Sequence, residues 1–147
     1  MIKQKKDGTI KGRTCVNGSK QRNYTAEEDA SSPTVSTEAL LLTAAIDSHE
    51  KQFVATCDIT GAFLKVEMDE FVLIVLHGKE IEALVQANPK YKQYIHKRHD
   101  GKEILYLELI KAMYGCLKSA RLFWEHLSSF LGKLGFTQNR YDLCVAN

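Results

Sequence analysis

One carboxylate and the small-residue turn behind it are the first residues in this chain whose types and spacing could do chemistry. Asp58 ends the apolar, β-branched run Phe53-Val54-Ala55-Thr56-Cys57, and Ile59-Thr60-Gly61-Ala62-Phe63-Leu64 follows. An Asp delivered at the tip of a core strand can hold a divalent cation rigidly at a surface. Gly61 and Ala62 leave their backbone N–H groups open to a bulky anion. Asp is also common where a strand merely stops, and on this stretch alone both readings stand. A second candidate runs from Lys111 to Trp124. Tyr114 and Gly115 offer a flat aromatic and bare backbone, and Lys118 and Arg121 place positive charge near a helix start. Aromatics beside basic residues suit a nucleic acid, by stacking and phosphate contact. Tyr114 and Trp124 equally fit a core or its rim, and Lys118 a solvated surface.

The elements that must position these residues fit in about one domain, since 147 residues can bury a real core. The longest apolar run, Phe71 to Leu76, suits a buried strand and is far too short to span a membrane. The Lys-rich start has no apolar core of a secretory signal. Cys15, Cys57, Cys116 and Cys144 are scattered with no C-x-x-C pair, which predicts reduced thiols in an intracellular setting. His96 and His99 lack a Cys or carboxylate at zinc-site spacing. Charge is uneven: residues 1–22 carry seven basic side chains (Lys3, Lys5, Lys6, Lys11, Arg13, Lys20, Arg22) against Asp7 alone. Such an arm either contacts phosphates or simply keeps the terminus soluble.

Along the chain, short strands alternate with helices. Asp7-Gly8 predicts a turn, with Thr9 to Val16 as a strand before Asn17-Gly18 turns the chain again. Residues 23–33 read as a loop. Ser36 is a helix N-cap, Glu38 favours the first turn, and Leu40 to Ile46 predicts a buried helix ending near His49. A strand then carries Asp58, and Phe71 to Leu76 forms another. Lys79 to Ala87 predicts a helix stopped by Asn88-Pro89, and Tyr91 to Ile95 is ambiguous. Asp100-Gly101 turns into a strand over Glu103 to Leu109. The last helix, Ser119 to Leu134, sets Phe123, Leu127, Phe130, Leu131 and Leu134 on one face and closes at Gly135. Residues 144–147 read as a strand beginning. The layout is α+β, with helices on one side of a small, mainly antiparallel sheet.

Four blocks in register resemble the reverse transcriptase of copia-type long-terminal-repeat retrotransposons. Lys11-Gly12-Arg13-Thr14-Cys15-Val16-Asn17-Gly18 matches that family's Lys-x-Arg-x-x-x-x-Gly. Asp58, Ile59, Ala62, Phe63 and Leu64 match its first catalytic box, Ala112 to Gly115 with Trp124 its third block, and Tyr141, Asp142, Cys144 and Val145 its Tyr-Asp-x-Cys-Val. Ala120 and Leu143 stand where many relatives have Pro. The resemblance implies the fingers and partial palm of a right-hand polymerase. Fingers would fill about 1–48 and 67–112, the palm strand with the first catalytic Asp 49–66, and an incomplete palm 113–147.

The resemblance also implies roles. Asp58 would be the first of three carboxylates holding two Mg²⁺ ions, with the Ile59 carbonyl as a further ligand. Gly61 and Ala62 would face the triphosphate of a dNTP, and Phe63 would lie under the deoxyribose and exclude a 2′-hydroxyl. Lys11 and Arg13 would neutralise the triphosphate. Tyr114 and Gly115 would flank nucleotide and template in an RNA/DNA primer–template. The family's Asp-Asp pair follows the Tyr-Asp-x-Cys-Val block and is missing here, so the chain is expected to be a fragment inactive by itself. The alternative is a non-catalytic nucleic-acid-binding remnant using the basic arm. The setting implied is the cytoplasm, within a virus-like particle, or the nucleus, with no membrane.

Overall fold

The computed structural model describes residues 2–12 and 14–147, the side chains of Ile2 and Lys11 excepted. The chain divides into two compact units, one made of 1–66 with 112–147 and the other of 67–111. The α+β class holds, but the single sheet expected from the sequence is replaced by two separate small ones.

The first unit begins with a hairpin of β1 (Ile2–Gln4) and β2 (Ile10–Gly12), in which Lys3 stands opposite Lys11. Its turn forms as expected at Asp7-Gly8: Asp7 accepts hydrogen bonds from the Thr9 amide at 3.0 Å and the Thr9 hydroxyl at 2.6 Å. The strand expected to reach Val16 is seen over Ile10–Gly12, and residues 14–17 form no strand. Asn17 instead caps a 3-10 helix, Gly18–Asn23, by accepting from the Ser19 amide. The loop expected over 23–33 contains a single turn of helix, α1 (Glu27–Ala30).

Ser36 caps α2 (Thr37–Glu50) as its sequence predicts, accepting from the Ala39 amide at 3.1 Å. The burial expected for this helix is absent. Leu40, Leu41 and Leu42 are 60–65% exposed, and no α2 residue is buried. Three consecutive leucines spread over most of a helical turn, so one packing surface cannot cover them all.

The strand expected to carry Asp58 does not form. Residues 52–59 have no ladder partner among the described residues, and Phe53 and Val54 are fully and largely exposed. Alternating β-branched residues supply the propensity, but a strand exists only where a neighbour takes its N–H and C=O groups. The chain then enters a 3-10 helix, Ala62–Lys65, through Gly61 in the left-handed region.

The helix with the strongest apolar periodicity, α4 (Ser119–Lys133), forms over nearly its expected span. Its end is a Schellman arrangement: the Phe136 amide reaches the Leu131 carbonyl and the Gly135 amide the Gly132 carbonyl. Phe123, Leu127 and Leu131 are half-buried, while Phe130 and Leu134 at the edge of the same face stay exposed. The final residues fold back as a narrow hairpin, with Thr137 and Asn147 exchanging both backbone hydrogen bonds.

The second unit is built on an antiparallel sheet of order β3-β5-β4, comprising β3 (Leu73–His77), β4 (His96–Lys97) and β5 (Glu103–Glu108). The register sets Val75 opposite Tyr106 and His96 opposite Ile104. The Asp100-Gly101 turn forms, and α3 (Lys79–Ala87) ends at Asn88-Pro89 as expected. Leu105 is fully buried and Ile104 and Ile81 nearly so. Alternating exposure along β3 shows that this strand is covered on one face only, not on both as its continuous apolar run predicts.

Candidate functional site

Three of the sequence blocks meet inside the first unit. The ring of Phe63 lies 4.6 Å from that of Tyr114, centroid to centroid, and 6.2 Å from that of Phe123 on α4 in an edge-on arrangement. Such tilted and edge-to-face pairs suit the ring quadrupoles. Phe63 is half-buried, so α4 and the Tyr114 turn support one side of it while part of the ring faces outward.

The Tyr114-Gly115 turn is pinned from two directions. The Val16 amide donates to the Tyr114 carbonyl at 2.8 Å. Gly115 has φ +95°, and a Cβ there would run into the Val16 carbonyl; one on Gly18 would run into the Gly115 carbonyl. Both glycines are therefore required by close backbone approach, and they join the Lys11–Gly18 block to the Ala112–Gly115 block.

Residues that the sequence reading passed over hold this turn. The Gln21 side-chain carbonyl accepts the Leu117 amide at 3.1 Å. Ser119, 1% exposed, accepts the Met113 amide at 3.2 Å and donates its hydroxyl to the Met113 carbonyl at 2.7 Å. A Ser at a helix start after a small-residue turn was the available signal for it. Nothing in the sequence singles out Gln21, whose partner lies 96 positions away.

Arg121, read as a phosphate-binding charge, is instead engaged by protein groups. It pairs with Glu125 at 2.8 Å and Asp29 at 3.2 Å and donates to the Glu28 carbonyl, tying α1 to α4. Arg121 and Trp124 line a cleft of about 310 Å³ with Glu28, Ser31 and Pro33. Asp142, in the Tyr-Asp-x-Cys-Val block, accepts the Ser36 amide at 2.8 Å and the Cys144 amide at 2.9 Å. These hydrogen bonds, that from Ser36 foremost, hold its carboxyl below the usual carboxylate range. Partial burial and then the Asp142 charge push the Cys144 thiol upward.

The other expected site residues are placed differently. Asp58 is exposed on the unpaired 52–59 segment, with Ile59 beside it 37% exposed. Gly61 and Ala62 form the turn leading into Phe63. Arg13 and the Lys11 side chain lie outside the described residues. Among the described residues no three His, Cys, Asp or Glu side chains come together to hold a metal ion, so the groups present do not fit a two-metal centre. Among them, too, no helix is long and apolar enough to cross a membrane.

No curated protein and no solved structure matches the chain. A family model described as reverse transcriptase (RNA-dependent DNA polymerase) matches residues 1–145. That span takes in the Phe63 turn, the paired glycines and the Asp142 block together, and the chain belongs to the reverse transcriptase (RNA-dependent DNA polymerase) family.

Proposed function

We propose that this chain is the fingers and partial palm of a copia-type retrotransposon reverse transcriptase. In this reading the Gly61-Ala62 turn faces a dNTP triphosphate, Phe63 lies under the deoxyribose, and Tyr114 and Gly115 border the nucleotide and its template. Lys11 and Arg13 neutralise the triphosphate, and Asp58 with the Ile59 carbonyl supplies one part of the Mg²⁺ site. The observation that carries the proposal is the packing of Phe63 on Tyr114, because it unites two blocks about fifty residues apart in sequence. A half-buried ring braced on one side by two other rings is suited to discriminate sugars by shape, since it cannot retreat from an added hydroxyl.

The 147-residue chain alone is proposed to be inactive in polymerisation, because among the described residues no cluster of carboxylates gathers to hold the two divalent ions that the reaction needs. Primer extension tests both halves of the proposal. The chain itself should give no Mg²⁺-dependent extension. The same chain continued by the Asp-Asp-bearing strands of a copia-type enzyme should extend, and Asp58→Asn should abolish that extension. Extension by the 147-residue chain that is lost on Asp58→Asn overturns the inactivity. Extension by the continued chain that survives Asp58→Asn overturns the role of Asp58.

A further inference from the structure

The strand β3 leaves one edge of the second unit's sheet open, since in the order β3-β5-β4 it has a neighbour on one side only. The ladder fixes which of its backbone groups point away from β5. The Leu109 amide donates to the Val72 carbonyl at 2.9 Å, in register with the β3–β5 pairing. Val72 is therefore a hydrogen-bonded position, and Ile74 and Leu76 follow it at the strand period. Leu73, Val75 and His77 alternate with them and turn their N–H and C=O groups outward. The His77 amide donates to the Glu80 carboxylate at 3.1 Å. The outward groups of Leu73 and Val75 have no partner among the described residues.

An open strand edge is a template for another strand, and folded proteins blunt it with charge, proline or a bulge. The run Val72 to Leu76 has no charge and no proline, and its register against β5 is unbroken. Only the His77 end is blunted, by Glu80. On the open face of the sheet Leu73 and Val75 are 49% and 42% exposed, and Tyr106, opposite Val75, is 49% exposed. An added strand would satisfy the main-chain groups and cover these side chains together.

We propose that the outer edge of β3 pairs with β3 of a second copy of this chain, antiparallel about a two-fold axis. The open groups set the register. With Leu73 opposite Val75 of the second copy, both residues exchange backbone hydrogen bonds and Ile74 meets its own counterpart at the axis. A register centred on Val75 would need the His77 amide, which Glu80 already holds. The flanking charges favour this direction. Glu67, Asp69 and Glu70 precede β3 and Lys79 follows it, while Glu80 is turned to the His77 amide. Antiparallel addition brings the acidic approach of one copy to the Lys79 end of the other, whereas parallel addition sets like beside like. An apolar centre with opposite charges at its two ends is self-complementary, which favours a second copy over an unrelated strand. The pairing uses up the open edge of each copy, so assembly closes at a dimer. One strand pair covers much less than the about 1,600 Å² of a standard interface, so the dimer is weak, with a Kd of about 10–500 µM.

Sedimentation velocity of the 147-residue chain from about 5 µM to about 1 mM, with hydrogen exchange read at individual amides, is the test. Wild type should pass reversibly from monomer to dimer. Across that range exchange at the Leu73 and Val75 amides should slow by about threefold or more, while the Ile74 and Leu76 amides, already paired with β5, change little. Val75→Lys puts a charge into the apolar centre, and Val75→Pro removes an outward amide that β5 does not use. Each variant should stay monomeric at the highest concentration. Protected Leu105 and Leu107 amides certify that a variant keeps the β3–β5 ladder, and wild-type exchange at Leu73 and Val75 decides the matter without any variant. A wild-type chain that remains monomeric throughout overturns the proposal. Association that Val75→Lys leaves intact also overturns it and passes the contact to another apolar surface, such as the leucines of α2. Growth past the dimer overturns the closed pairing. Leu73 and Val75 amides already protected at the lowest concentration would show the edge covered by the chain itself, and the proposal would fail on that ground.

Discussion

The Phe63 ring sits 4.6 Å from the Tyr114 ring, at an interplanar angle of 51°. The two residues come from separate sequence blocks, and their contact gives the 3-10 turn of Ala62–Lys65 a fixed seat beside α4. The turn has few other anchors: Gly61 accepts from the Leu64 amide, and the segment before it has no ladder partner among the described residues. The aromatic contact therefore does work that a β-ladder would do for a conventional strand–turn.

Phe63→Ala should consequently loosen this unit. A fully buried Phe→Ala change costs about 3–5 kcal/mol, and for a half-buried ring about 1–2 kcal/mol is expected. Trp124, the only Trp in the chain, lies on α4 one residue after Phe123 and makes a local reporter. Urea unfolding followed by its fluorescence should show a lower midpoint for Phe63→Ala and a smaller change for Phe63→Leu. An unchanged midpoint would mean that the ring contact contributes nothing.

Gly115→Ala should be more damaging than its one added methyl suggests. The φ of +95° is strained for Ala, and the new Cβ would occupy the space of the Val16 carbonyl. About 2–3 kcal/mol of destabilisation is expected. Gly132→Ala is the contrasting case. It lies in α4, a Cβ there meets nothing within 4 Å, and relief of helical Gly entropy should stabilise by about 0.5–1 kcal/mol. Thermal midpoints that move in opposite directions for the two variants would bear this out.

Much of this fold can be read from local signals. The Ser36 cap, the apolar period of α4, the Asp100-Gly101 turn and the stop at Asn88-Pro89 all depend on residues within a few positions of one another, and all appear as expected. The failures share a different cause. The run Phe53–Cys57 has strand propensity, and Leu40–Ile46 has the composition of a buried helix, yet pairing and burial depend on neighbours that a local pattern does not specify. The site shows the same divide. Gly61, Phe63, Tyr114 and Gly115 stand out by type and spacing, whereas Gln21, Ser119 and the partners of Arg121 acquire their roles only when distant segments meet.

Ser119→Ala tests one of those unannounced roles. The Ser119 hydroxyl both accepts from and donates to the backbone of Met113, and it is almost entirely buried. Alanine would take the acceptor from the part-buried Met113 amide, while the Met113 carbonyl would keep the Cys116 amide, at a cost of about 1–3 kcal/mol. The damage should be local to the turn: hydrogen exchange at the Met113 and Cys116 amides should quicken while the β3–β5 ladder of the other unit is unaffected. Equal acceleration in both units would show that Ser119 acts through global stability instead.

Asp142 links the closing hairpin to α2 by accepting the Ser36 amide, and the pH dependence of that link has a definite sign. Ser36 caps its own helix at Ala39, an alanine, so no side chain at that position can reach back to the Ser36 amide; the Asp142 carboxylate does so from 106 positions downstream. A negative charge there also complements the helix dipole. Because the Ser36 and Cys144 amides bond the ionised form, the carboxyl titrates below its ordinary value of 3.8 in the folded chain. The unfolded chain thus takes up the proton first as pH falls. The stabilisation is complete above the unfolded value, declines as pH drops through it, and is gone below the folded one. Asp142→Asn should therefore lower the thermal midpoint at pH 7, and the difference should shrink as pH falls below 3.8, so that wild-type and variant curves converge in acid. Curves that stay separated throughout would show that the side-chain shape, and not its charge, fastens the hairpin to α2.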